Sequence, residues 1–303
     1  MSESKVNKSY ATFGFSRSIR QVQHAFRSRK YADENMFALL QMLHEHENRM
    51  KNKLGRPLED LLILEIGPGQ GRERARYFGL KNTVIGMDLD IIPQGLKPDN
   101  YLRMLRENGF GRFTKTIGRK LIIGRKNAKA WAKVVGSKEM PNPELSYGDI
   151  CKAVPEPEAF DIVMSWSVFE HLPDPKQALE NVIRSLKPGG IFYISLHLYT
   201  SNNGHHDIRA FTGGEDELPL WSHLRPSTSY LIEPSSYLNN WRLAQWRRLF
   251  SEVAPEYNEF LETYDCKEKY NSRLTESLRR ELRDYSDEEL FTVDAIYLWK
   301  KPN

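Results

Sequence analysis

Leu61-Leu62-Ile63-Leu64-Glu65-Ile66-Gly67-Pro68-Gly69-Gln70-Gly71-Arg72 is the stretch whose reading decides the fold. An apolar run drives into a turn with glycine at alternate positions, and a helical pattern begins near Arg72. Glycine permits backbone angles that other residues avoid and leaves no Cβ between the main chain and a ligand. The start of the following helix offers unpaired N–H groups and a partial positive charge. Strand, glycine turn and helix together predict a nucleotide-sized cleft at the C-terminal end of a strand.

The glycine spacing separates the ligands such a cleft could take. A dinucleotide fingerprint needs a third glycine at position 72, which here is Arg72. A nicotinamide enzyme is therefore the weaker alternative. A P-loop needs a later G-K-[ST], which is missing. The pattern present is Glu65-x-Gly67-x-Gly69-x-Gly71, and it resembles motif I of the class I S-adenosylmethionine-dependent methyltransferases, of the type 11-like kind.

Four later segments carry the same resemblance in order. Thr83-Val84-Ile85-Gly86-Met87-Asp88 is a second apolar run ending in a carboxylate, about 20 residues past the glycines, where a ribose acceptor is needed. Leu145 to Ile150 ends a further strand in Asp149. Phe160 to Pro175 resembles the family's fourth strand and the segment after it, and Leu186 to Ser195 the turn into its fifth. The resemblance implies an α/β fold: a Rossmann-like, doubly wound, seven-stranded sheet with an antiparallel last strand, plus helical insertions. It implies that Gly67, Gly69 and Gly71 bring the backbone to S-adenosylmethionine and that Glu65 fixes its amino group. Asp88 with Leu89 would hold the ribose, Asp149 with Ile150 the adenine, and Ser165 and Trp166 would lie near the sulfonium.

Composition excludes several classes. The chain of 303 residues has a net charge of +4 and 40% hydrophobic residues, enough for a core. That charge does not by itself point to nucleic acid. Cys151 and Cys266 are far apart without C-x-x-C spacing, so free thiols are expected in a reducing compartment. No apolar run reaches membrane-span length, and the polar N-terminus lacks a signal-peptide core; a cytoplasmic protein is expected.

Residues 1–56 read as an N-terminal extension and an amphipathic helix over 31–53, with Asp33 able to cap its start and Gly55-Arg56-Pro57 ending it. Residues 57–303 read as the methyltransferase domain. Residues 91–143 are too long for a plain βαβ step, so they hold an insertion. Between Lys97 and Lys138 twelve basic residues oppose only Asp99 and Glu107. Such a segment suits a phosphate-bearing acceptor, an acidic lipid surface in peripheral contact, or RNA; a solvated helix is the plainer alternative. Residues 175–186 read as a helix. The polar stretch 200–235 leaves the C-terminal end of strand five and reads as a substrate lid. Residues 236–253 and 268–290 read as helices, and 291–301 as the last strand.

Methyl transfer from a sulfonium is an in-line displacement, and holding the partners in place contributes roughly 7–11 kcal/mol. A hydroxyl acceptor also needs a base. His171, His205 and His206 are the candidates, since imidazole is largely neutral at pH 7. No acidic cluster completes a magnesium site, so no metal is expected. Ser165-Trp166-Ser167-Val168 stands where base-amine methyltransferases carry Asn-Pro-Pro-Tyr. The expected acceptor is therefore a small molecule or glycan, anionic if the basic insertion meets it, methylated at oxygen. RNA methylation and a non-catalytic S-adenosylmethionine-binding protein are the alternatives.

Overall fold

The computed structural model describes Phe26, Leu102 and residues 29–89, 105–106, 110–136, 140–212 and 217–303. Its strands are β1 (Leu62–Ile66), β2 (Thr83–Asp88), β3 (Glu144–Tyr147), β4 (Phe160–Trp166), β5 (Leu186–His197), β6 (Asn258–Glu262) and β7 (Asp294–Lys300). The helices are α1 (Ala32–Leu54), α2 (Glu73–Phe78), α3 (Phe110–Val135), α4 (Pro175–Ser185), α5 (Ile208–Thr212), α6 (Leu243–Val253), α7 (Cys266–Tyr270), α8 (Glu276–Glu281) and α9 (Asp287–Phe291).

The sheet runs β3-β2-β1-β4-β5-β7-β6. β1 to β5 pair in parallel, while β7 inserts antiparallel between β5 and β6. This is the doubly wound sheet with an antiparallel last strand that the family resemblance implies. Alternation along each strand sends side chains to two faces. Leu64, Ile66, Val163 and Phe192 pack with α4 and α6 on one face. Ile63, Ile162, Met164 and Tyr193 pack beneath α1 and α2 on the other. Both faces are covered, so the central strands read as unbroken apolar runs. The strand order reverses between β1 and β4, and the cleft opens at their carboxyl ends.

Local chemistry sets the element ends. Asp174 accepts a hydrogen bond from the Gln177 N–H (3.0 Å) and Pro175 occupies the first turn, so α4 starts there. Gly55 closes α1 at φ +83°. Asp33 does not cap α1; its carboxylate takes Lys133 of α3 at 2.7 Å. The charged segment 268–290 is three short helices and not one. Thr275 caps α8, and Ser286 caps α9 in a reciprocal box with Glu289. Leu186 opens β5, residues 236–242 precede α6 without helix, and Phe291 ends α9, so β7 starts at Asp294. β6 has no counterpart among the sequence expectations. Lys97, Arg103 and Lys138, with most of residues 91–109, lie outside the described residues, as do residues 1–25.

α1 also carries a titrating core residue. His46 is 3% exposed, and its Nδ1 accepts a hydrogen bond from the Tyr193 hydroxyl at 2.5 Å. Burial pushes its pKa down to about 4, helped by Arg49 and Arg74 and opposed by Glu45 and Asp294. The folded state therefore binds the proton less readily than the unfolded chain. Stability from the neutral ring is whole above pH ~6.5 and declines as pH falls through about 4. Between pH 7 and 4.5, denaturant unfolding should lose roughly 2–3 kcal/mol less in His46→Gln than in the native protein. Equal losses would refute this.

Candidate functional site

The loop after β1 is held in a conformation that most side chains avoid. Gly67 and Gly69 have φ +66° and +63°, and Arg72 follows at +57°. The Gly67 N–H donates to the Met87 carbonyl (2.7 Å), which ties the loop to the end of β2. A Cβ on Gly67 would lie 2.5 Å from a Val168 methyl, so the chain after β4 rests directly on the loop. Asp88 ends β2, and its Oδ2 accepts the Gly69 N–H at 3.4 Å. Leu89 follows it.

Glu65 is 2% exposed, and its Oε2 has no hydrogen-bond partner among the described residues. Burial raises its pKa to about 8, against the pull of Arg74 and the Ala75 N–H. An unsatisfied buried carboxylate oxygen costs on the order of 1–3 kcal/mol or more. A ligand ammonium would offset that cost, which fits the amino-acid tail of S-adenosylmethionine. Asp149, past β3, accepts the Cys151 N–H (3.0 Å), and the Ile150 carbonyl accepts from Asn181 (2.7 Å). Ser165 sits 3.5 Å from the Ile66 carbonyl, bridging β4 to β1. Trp166 turns toward α1, edge-on to His46 at 4.9 Å and under the Arg74 guanidinium at 5.3 Å. Glycines, carboxylates and strand ends thus converge on one edge of the sheet.

The other half of this edge follows β4. A single turn, Phe169–His171, is pinned by Asn239, whose N–H donates to the Glu170 carbonyl (2.9 Å) and whose side chain donates to the Phe169 carbonyl (2.8 Å). His171 Nδ1 donates to the Tyr237 carbonyl at 2.7 Å. Glu170 is 2% exposed; its Oε1 accepts the His197 N–H (3.2 Å), while Oε2 has no partner among the described residues. The His206 ring packs 4.8 Å from His171 and 5.1 Å from His197. His197, at the end of β5, lies 3.2 Å from Asp294 and 3.2 Å from the Ser201 hydroxyl. Histidine positions 26 and 35 residues from His171 in sequence therefore meet around one buried carboxylate.

His205 is placed elsewhere. Its Nδ1 accepts the Asp207 N–H (2.9 Å) and its ring packs on His223. Burial holds its pKa down at about 4. Asp207 clamps Arg209 and accepts the Glu233 N–H. Residues 200–212 and 217–235 thereby form a folded layer, anchored by fully buried Trp221 against α7 to α9. A cavity of about 360 Å³ lies between that layer and α7, lined in part by Asn202, Asn203, His205, Arg209, Tyr264 and Lys269 and by no residue of the glycine loop. Glu170 and His197 are absent from the sequence candidates; the only signal was their place after strands four and five. Both cysteines are free. No described helix is long and apolar enough to cross a membrane.

Comparison with known proteins identifies the family. The family described as methyltransferase domain matches residues 25–262, most of the chain. The chain belongs to that family, and its sheet and glycine loop are those of a class I S-adenosylmethionine-dependent methyltransferase. Similar solved structures include phosphoethanolamine N-methyltransferase 2 of Haemonchus contortus in complex with S-adenosyl-L-methionine, at 16% identity and TM-score 0.46. That match covers 86% of this chain and 53% of the other, so this chain spans about half the length of that relative. The YcgJ protein of Bacillus subtilis matches at 16% identity and TM-score 0.37, covering 83% and 99% of the two chains. An arsenic(III) S-adenosylmethionine methyltransferase of Chlamydomonas reinhardtii matches at 20% and 0.37, covering 81% and 64%. No curated protein sequence matches the chain.

Proposed function

We propose that this chain transfers a methyl group from S-adenosylmethionine to a hydroxyl oxygen of a small-molecule or glycan acceptor, received at the ends of β4 and β5. The observation that carries this reading is the cluster of Glu170, His171 and His206, the first two of which follow within three residues of Val168, whose side chain rests on Gly67.

Glu65, Asp88 and the loop from Gly67 to Gly71 would hold the donor, with Asp149, Ile150 and Leu89 around its base and Ser165 and Trp166 toward its sulfur. The bound donor supplies an electrophilic methyl on a leaving group that is already activated. The protein's task is then to fix the acceptor in line and remove its proton. As the new O–C bond forms and the S–C bond breaks, the hydroxyl proton leaves at the histidine cluster. Such proton transfer contributes typically 10²–10⁴-fold. An amine acceptor mainly needs to be neutral, and a carboxylate needs no base at all. His205, turned into the folded layer, serves its architecture.

The test is transfer of an isotopically labelled methyl group to hydroxylated small molecules and glycans, with the product carbon read by NMR. An O-methyl signal is expected. Label on nitrogen, carbon or RNA would overturn the reading. His206→Ala should lower kcat about 10²–10⁴-fold while donor affinity, measured by calorimetry, stays the same. A kcat near that of the native protein would remove His206 from the reaction.

A further inference from the structure

We infer that Glu170, His171 and His206 form a binding site for a borderline first-row divalent cation, of the Zn²⁺, Co²⁺ or Fe²⁺ kind. One ligand atom from each residue lies within 4.8 Å of the other two. Four-coordinate binding at ~2.0–2.2 Å sets ligand atoms roughly 3.3 Å apart, so the side chains must close by about 1–1.5 Å.

Two independent features point at an ion. The first is the pair of orphaned atoms. Glu170 Oε2 and His206 Nε2 are both buried, and neither has a hydrogen-bond partner among the described residues. Buried polar groups are almost always satisfied, so two such atoms in one three-residue cluster call for a partner. The second is the way the ligands are held. His171 Nδ1 donates to the Tyr237 carbonyl, which leaves the lone pair of the neutral ring on Nε2, the atom 4.0 Å from Glu170 Oε1. A histidine whose other nitrogen donates to a carbonyl is the usual arrangement of a metal ligand. The Glu170 carboxylate is oriented by the His197 N–H, and the His206 carbonyl is clamped by the Ser235 N–H (3.1 Å) and hydroxyl (2.7 Å). His206 holds φ +52° between these anchors.

His197 is not a ligand, because both of its ring nitrogens are occupied, by Asp294 and by Ser201. Burial, with Asp294 nearby, pushes the Glu170 pKa up to about 8, and burial with the neighbouring histidines lowers those of His171 and His206. A bound cation would favour the carboxylate and the two neutral rings. Two imidazoles with one carboxylate select against Mg²⁺ and Ca²⁺, which prefer all-oxygen sets. Three protein ligands leave a position open, as in catalytic and not structural sites. The role we give the ion, to hold the acceptor oxygen and lower its pKa, rests on the acceptor site proposed above. With the ion bound, His171 and His206 act as its ligands in place of the proton-accepting role given above; the ion acidifies the acceptor hydroxyl, whose proton passes to water as the O–C bond forms.

Titration of Co²⁺ into the chelator-treated full chain tests the site by visible absorption and calorimetry. One Co²⁺ per chain is expected, displaced by Zn²⁺. Glu170→Gln and His206→Ala should each weaken binding at least about tenfold, while His44→Ala, on the exposed face of α1, leaves it unchanged. A native chain that takes no Co²⁺ would overturn the site, as would binding that survives both substitutions. If either variant fails to fold, the native titration alone decides. Titration of S-adenosylmethionine with chelator present reads the donor cleft separately: donor binding without Co²⁺ binding sinks the cation site and leaves the methyltransferase reading standing.

Discussion

Replacing Gly67 with alanine is expected to destabilise the protein by roughly 2–5 kcal/mol and to abolish measurable donor binding. Two costs combine. A Cβ at φ +66° forces an L-residue into the left-handed region, about 1–2 kcal/mol. The same Cβ falls 2.5 Å from a Val168 methyl, and overpacking of that kind costs typically 1–3 kcal/mol. Gly69 separates the two costs. It has φ +63°, but a Cβ there would meet nothing within 4 Å among the described residues, so Gly69→Ala should lose only about 1–2 kcal/mol in the ligand-free protein. Val168→Ala should restore roughly 1–3 kcal/mol to the Gly67→Ala protein and nothing to Gly69→Ala. Denaturant unfolding of the five proteins checks this. Equal costs at the two glycines, or no rescue by Val168→Ala, would show that the segment after β4 does not rest on the loop.

Asp88→Ala is expected to weaken binding of S-adenosylmethionine about 10–150-fold. A carboxylate at the end of β2 would accept hydrogen bonds from a ribose, each worth about 1.5–3 kcal/mol, and 1.4 kcal/mol is a factor of ten. Asp88 is positioned for this by its contact with the Gly69 N–H, so its loss also loosens the loop. Isothermal calorimetry at fixed salt gives the answer. Unchanged affinity would mean that another acid holds the ribose.

How far the sequence reveals these features follows from what each depends on. β1, β2, β4 and β5 are legible because each carries a largely apolar run set in the middle of the sheet, and β1 and β2 are marked further by the glycine and the acid at their ends. β6 is not, because Asn258–Glu262 is a half-buried edge strand whose two acids break the apolar alternation. The single helix read over 268–290 fails because helical spacing does not register two caps, Thr275 and Ser286, inside a charged run. Asp33 has the composition of a cap, but the ion pair with Lys133, one hundred residues away, takes its carboxylate. The donor loop is local and so is written in consecutive residues. The histidine cluster is not local. Glu170 and His171 meet His206 and His197 only because β4 and β5 lie side by side and the chain after β5 folds back, and spacing carries no trace of that.

The cleft beside β1 is shaped for a sulfonium-bearing adenosine and not for a pyrophosphate. The most direct measurement is calorimetric titration of the native chain with S-adenosylmethionine and, separately, with NAD. One S-adenosylmethionine per chain and no heat from NAD is the expected result. Saturable binding of NAD with no heat from S-adenosylmethionine would contradict it.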